Sequence, residues 1–152
     1  MPGLYYGEFE VGQTFDHDKR RTVSERDNQQ FCDLTMNQQP LHLDEPFAGD
    51  TQFGERIVNG LYTMSLAVGL TIPDTTDGTI VANLSYDDVE HPAPVFHGDT
   101  IRARTTVTDA RETSDGDRGV VTMRVEAFRV EPDGDDTLVC SFERTVLAEK
   151  RP

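Results

Sequence analysis

The chain has 152 residues, with 28 Asp and Glu against 14 Lys and Arg, and a formal net charge of -14. A length like this fits one domain that buries roughly two thirds of its unfolded surface, so no metal or disulfide staple is required. The charge excludes nucleic acid as a partner, because a polyanion is repelled and no basic stripe is present.

From Leu4 to Phe15 the chain is short and mixed, with Gly7 and Gly12 as turn formers, and has room for an edge strand. Thr22-Val23 reads as a strand end, and Ser24 as a helix N-cap with Asp27 three residues on. Helical apolar spacing follows at Phe31 and Leu34. Pro40 is expected to end that helix, because it lacks an N–H and restricts Gln39. Leu41 to Ala48 reads as a compact loop with a helical turn. Ile57 to Ile72 is apolar, rich in small residues and almost free of charge, the pattern of one buried helix. The pattern changes after Pro73-Asp74. Ile80 to Tyr86 reads as a strand, and Ile101, Ala103, Thr105 and Val107 alternate with polar neighbours over Thr100 to Thr108. Ser114 to Asp117 and Pro132 to Asp135 are turns, separating strands at Val120 to Val130 and Leu138 to Leu147. One helix followed by four strands implies an α+β domain, an antiparallel sheet with the helix packed on one face.

The acid is spread from Glu8 to Glu149, so it is not an interaction tail. Asp outnumbers Glu by 17 to 11, and the only lysines are Lys19 and Lys150. This composition suits molar salt. At about 1 M the Debye length falls to roughly 3 Å, and an acidic surface then repels itself little. Short carboxylates keep such a surface hydrated. Cys32 and Cys140 lie far apart with no metal-ligand spacing and are expected to be reduced and buried. No signal peptide or transmembrane stretch is visible, which makes a soluble, cytoplasmic protein the expectation.

Four segments carry a resemblance. They are Thr35-Met36-Asn37-Gln38-Gln39-Pro40-Leu41-His42-Leu43-Asp44, Arg56-Ile57-Val58-Asn59-Gly60-Leu61 to Ser65, Pro94-Val95-Phe96-His97-Gly98-Asp99-Thr100, and the strand-turn-strand ending. In this order they resemble the MaoC-like dehydratases, which include the (R)-specific enoyl-CoA hydratases. The resemblance runs from about Gly7 to Arg151. It implies a single MaoC-like domain over residues 1–152 with the hot-dog fold, a long central helix wrapped by an antiparallel sheet. It further implies an acyl-CoA substrate and a homodimer or an assembly of dimers. The finer likeness is to a branch acting on branched C4–C5 acyl-CoA such as mesaconyl- or itaconyl-CoA.

Hydration of an enoyl thioester needs a base to activate water, an acid to protonate the α-carbon, and polarisation of the thioester carbonyl. His42 is the candidate for proton transfer. Asn37 stands where the hydratases carry a catalytic Asp, and an amide cannot act as a base. Asn37 either positions water beside His42, or yields its role to Asp33 or Asp44, or marks a site that binds thioester without hydrating it. The family glycine that offers an N–H to the substrate corresponds to Gly60, at the opening of the buried helix. Asn59 stands where the family has His, and either contacts substrate or caps the helix. Ser65 matches a polar position on the same helix in some hydratases, although core packing is the stronger expectation for it. His91 and His97 are expected to pack in a loop near the pocket mouth. No metal-ligand spacing and no dinucleotide or phosphate-loop signature is present, so no cofactor is implied. A hot-dog thioesterase and a non-catalytic acyl-thioester-binding subunit are the alternatives.

Overall fold

The computed structural model describes residues 3–152; Met1 and Pro2 lie outside it. A 3-10 turn at Tyr6–Glu8 leads into two short strands, β1 (Thr14–Asp16) and β2 (Arg21–Thr22). Helices α1 (Glu25–Leu34), α2 (Pro40–Leu43) and α3 (Glu45–Gly49) precede the long helix α4 (Gly60–Thr75). Strands β3 (Ile80–Glu90), β4 (Thr100–Glu112), β5 (Arg118–Arg129) and β6 (Thr137–Glu149) follow. One antiparallel sheet holds them in the order β1-β4-β5-β6-β3, with β2 also on β4.

The alternation along β4 sets how the layers stack. Ile101, Ala103, Thr105 and Val107 are buried on one face. Helix α4 lies across that face, packing Ala67 and Leu70 against a core that includes Ile101, Val125 and Phe142. A fully buried Val, Leu or Phe contributes about 1.5–3 kcal/mol over an exposed one, so this cluster holds the helix to the sheet. The far end of α4 is pinned separately. Buried His17 donates from Nδ1 to Asp74 at 2.6 Å, and its Nε2 lies 2.8 Å from the Thr105 hydroxyl.

Four details depart from the sequence pattern. Helix α1 begins as expected, with Ser24 and Asp27 exchanging backbone and side-chain bonds at 3.0 Å each. It then buries Asn28 and Cys32, while Leu34 is 76% exposed. The helix ends before Pro40, in a Schellman motif. Met36 N–H bonds to Asp33 O and Asn37 N–H to Cys32 O, with Met36 at φ 63°. Pro40 instead opens α2 at its first turn, where a missing N–H costs nothing and its fixed φ suits a helix start. Helix α4 continues through Pro73 for its last turn, forgoing one backbone bond. It is also not buried all round, because Leu61, Ser65 and Gly69 lie on an exposed face.

Candidate active site

The site begins with the two helix openings. Gln39-Pro40 starts α2, and its single turn closes with Asp44 N–H on Pro40 O at 2.8 Å. That turn carries His42. The imidazole Nδ1 donates to the carbonyl of Ile57 at 2.9 Å, since a carbonyl can only accept. The bond fixes the ring and leaves Nε2 as the free nitrogen of His42. Asn59 caps α4, its side-chain oxygen accepting from Leu61 N–H at 2.9 Å. Gly60 is the first residue of α4, so its N–H has no intrahelical acceptor and belongs to the positive end of the helix.

His42 and Gly60 line one cavity of about 380 Å³. A volume of this order holds a small acyl group, and the walls from Phe53, Ile57, Val95 and Val139 are apolar. Two residues that sequence reasoning left out of the site also line it. Thr63 lies three residues after Gly60 on the same helix face. Its hydroxyl is buried and has no hydrogen-bond partner among the described residues. His91, expected to pack in a loop near the pocket mouth, lies in the loop after β3, on the cavity wall against Gly60. A Cβ built on Gly60 would come within 2.9 Å of the His91 ring.

The other expected site residues are placed elsewhere. Asn37 does not line the cavity. Its side-chain oxygen accepts from Gln39 N–H at 3.3 Å, a local turn that follows from the Schellman ending of α1. Asn59 is buried; its oxygen caps α4 and its amide nitrogen donates to Cys32 Sγ at 3.8 Å, so both ends of the amide are engaged within the fold. Ser65 is exposed beside Leu61 and Tyr86, away from both the core and the cavity. It lies on the exposed face of α4 near the β3 edge of the sheet, so core packing does not describe it. Asp33 accepts from Gln29 and Gln38, and Asp44 caps α3 through Phe47 N–H at 3.0 Å. Neither carboxylate lines the cavity. A wider hollow of about 680 Å³ runs along Glu25, Gln29 and Asp33, but it is the surface of one helix and gathers none of this chemistry. Among the described residues no group of three His, Cys, Asp or Glu could hold a metal.

A buried amide underlies the site. Asn28 donates to His42 O and to His97 Nε2, both at 3.2 Å, and accepts from Asn59 N–H at 2.9 Å. It therefore ties α1, the α2 turn, the start of α4 and the β3–β4 connection together. Burial is the main cause that lowers the His97 pKa, with the Arg56 charge adding to it. A neutral His97 is the form that accepts from Asn28.

The sequence matches the MaoC like domain over residues 8–129. The chain belongs to that family. As a MaoC-like protein it is 32% identical over 149 residues to the mesaconyl-CoA hydratase of Cereibacter sphaeroides, covering 98% of this chain and 42% of that one. To the mesaconyl-CoA hydratase of Haloarcula hispanica it is 29% identical over 150 residues, covering 98% and 41%. To the (R)-specific enoyl-CoA hydratase of Aeromonas caviae it is 34% identical over 122 residues, covering 78% and 83%. This MaoC-like chain thus spans about two fifths of the length of the mesaconyl-CoA hydratases it matches. Among solved structures, the monoamine oxidase regulatory protein of Archaeoglobus superposes with a TM-score of 0.85 at 30% identity, over 99% of this chain and 97% of that one. A Mycobacterium tuberculosis protein with a double hot-dog fold superposes at 0.79 and 22% identity, over 99% and 45%. The fold is the hot-dog fold.

Proposed function

We propose that residues 1–152 act as one hot-dog unit that adds water across, or removes it to form, the double bond of an enoyl-CoA thioester. The observation that carries this is the joining of a tautomer-fixed His42 and the free N–H end of α4 in one apolar cavity. The helix end suits the thioester oxygen, where negative charge develops as water attacks. His42 Nε2 suits the proton transfer. The mesaconyl-CoA hydratases among the relatives support a branched C4–C5 acyl group as the substrate. The test is absorbance of conjugated CoA thioesters, in a panel from crotonyl-CoA to mesaconyl-CoA. Loss of the absorbance without release of thiol is expected. Release of CoA thiol would make the protein a thioesterase, and neither change would leave it a binding subunit.

The unit is proposed to work as a homodimer, or an assembly of dimers, in a salt-rich cytoplasm. Strand β3 stands at the sheet edge with Leu84, Tyr86 and Val89 exposed, and Leu61 of α4 is exposed as well. An edge of that length with exposed apolar residues is stabilised by a second chain. No helix among the described residues is long and apolar enough to cross a membrane. The net charge of -14 sets the salt response. Screening weakens exposed ion pairs such as Arg21–Asp27, but such pairs contribute only about 0–1 kcal/mol each. Relief of repulsion among the 28 carboxylates outweighs that loss. The melting temperature is expected to rise by about 5 °C or more between 0.1 and 3 M KCl, or about 2 kcal/mol for a chain this size. Melts across the series, with sedimentation in the same buffers, check both points. An unchanged melt in high salt would remove the salt adaptation, and a single 17.0 kDa species would remove the dimer.

A further inference from the structure

The chemistry of hydration needs two proton carriers, and the family position that usually supplies one of them holds Asn37 here. Its side-chain oxygen accepts from Gln39 N–H, and the residue does not line the cavity. Asp33 and Asp44 do not line it either. The ionisable side chains on its wall are His42 and His91. Resting on the hydratase function proposed above, we infer that His91 is the second proton-transfer residue of this site.

The placement divides the labour. His91 lies against Gly60, within 2.9 Å of where a Cβ would stand, so no larger residue fits at position 60 with the ring in place. The thioester oxygen belongs at the Gly60 N–H. The α-carbon is bonded to the carbonyl carbon, so the group packed on Gly60 is the one beside the α-carbon. His42, anchored through Nδ1 by Ile57 O, is then assigned to the β-carbon, one bond farther along. Water then loses a proton to His42 Nε2 as its oxygen bonds to the β-carbon. The π electrons of the double bond move toward the thioester, whose oxygen carries the charge at the start of α4. When that electron pair returns, the α-carbon takes the N–H proton of protonated His91. One water has been added, His42 has gained a proton and His91 has lost one. Both rings border an open cavity, and exchange with solvent restores them. In dehydration each transfer runs in reverse.

The test uses the full chain in high salt with an enoyl-CoA thioester that the wild type hydrates. His91 is exposed, so His91→Gln leaves the fold intact, and an unchanged melt verifies this. The variant is expected to lose about 10-fold or more in kcat with KM little changed, the signature of a group that acts in the transition state. Binding of saturated butyryl-CoA, followed by calorimetry, should survive. A variant with wild-type kcat, or with only a raised KM, overturns the role of His91 while hydration by His42 stands. A wild type that hydrates no thioester in the panel overturns the hydratase function, and the His91 role with it.

Discussion

Replacing His42 with alanine lowers the turnover of enoyl-CoA hydration by about 100-fold or more, the range that general acid–base catalysis supplies. The ring is the only side chain of α2 that both lines the cavity and carries an exchangeable nitrogen. Its anchoring bond to Ile57 O contributes only about 0.5–1.5 kcal/mol to the fold. The protein therefore stays folded, and kcat rather than KM should fall. Asn37→Ala should cost less than His42→Ala, because its amide closes a local turn outside the cavity. Thr63→Val gives a sharper contrast. The buried hydroxyl has no partner, and an unmet buried polar group costs about 1–3 kcal/mol. Valine should therefore hold or raise the melting temperature. If the hydroxyl meets water or substrate, the same change should lower kcat about 10-fold, and Thr63→Ser should restore it. Steady-state kinetics on the three positions, with a melt for each variant, check the series. Wild-type turnover by His42→Ala would make the Pro-Leu-His segment structural.

The strands were legible because their signal is local. A period of two on β4 names its buried face residue by residue, and the turns at Ser114 and Pro132 fix the lengths of β5 and β6. The sheet order was not legible. Strand β3 pairs with β6 across the whole later chain, and nothing in Ile80 to Glu90 specifies that partner. At the site, the resemblance to the MaoC-like dehydratases led to His42 and Gly60, through the Pro-Leu-His segment and the Asn-Gly opening of the buried helix. It could not show that a Schellman ending would turn Asn37 toward its own loop. Met36 adopts the left-handed conformation without being glycine, so the usual C-cap signal was absent. Thr63 carried a weak signal, a hydroxyl one turn after the helix-opening glycine. His91 was expected near the pocket mouth but with no chemical role, since its contact with Gly60 joins residues 31 positions apart through the fold. Asn28 was hidden by an apolar pattern that points to Phe31 and Leu34, whereas the helix turns its amide inward.

Asn28→Ala is expected to destabilise the fold by about 2–4 kcal/mol, one of the larger effects open to a single polar residue. The amide is 1% exposed and spends both ends on backbone groups and a ring. Alanine leaves the N–H of Asn59, itself 3% exposed, without its acceptor, which alone costs about 1–3 kcal/mol. It also frees the His42 carbonyl and the His97 ring, so the α2 turn loses its tie to α1. Activity should fall with stability, because the position of His42 depends on that turn. The same network sets an acid limit. The pKa of His97 is lowered in the fold, so the unfolded chain takes up the proton first. The stability it represents is present above the ordinary histidine value, and is lost as pH falls through the lowered one. Protonated His97 can no longer accept from Asn28, so the network opens at its β3–β4 end. Denaturant unfolding of wild type and Asn28→Ala at neutral and mildly acidic pH measures both effects. A loss under about 0.5 kcal/mol at neutral pH would mean that water or a shifted side chain satisfies Asn59 as well as Asn28 does, and that the amide does not hold the site in place.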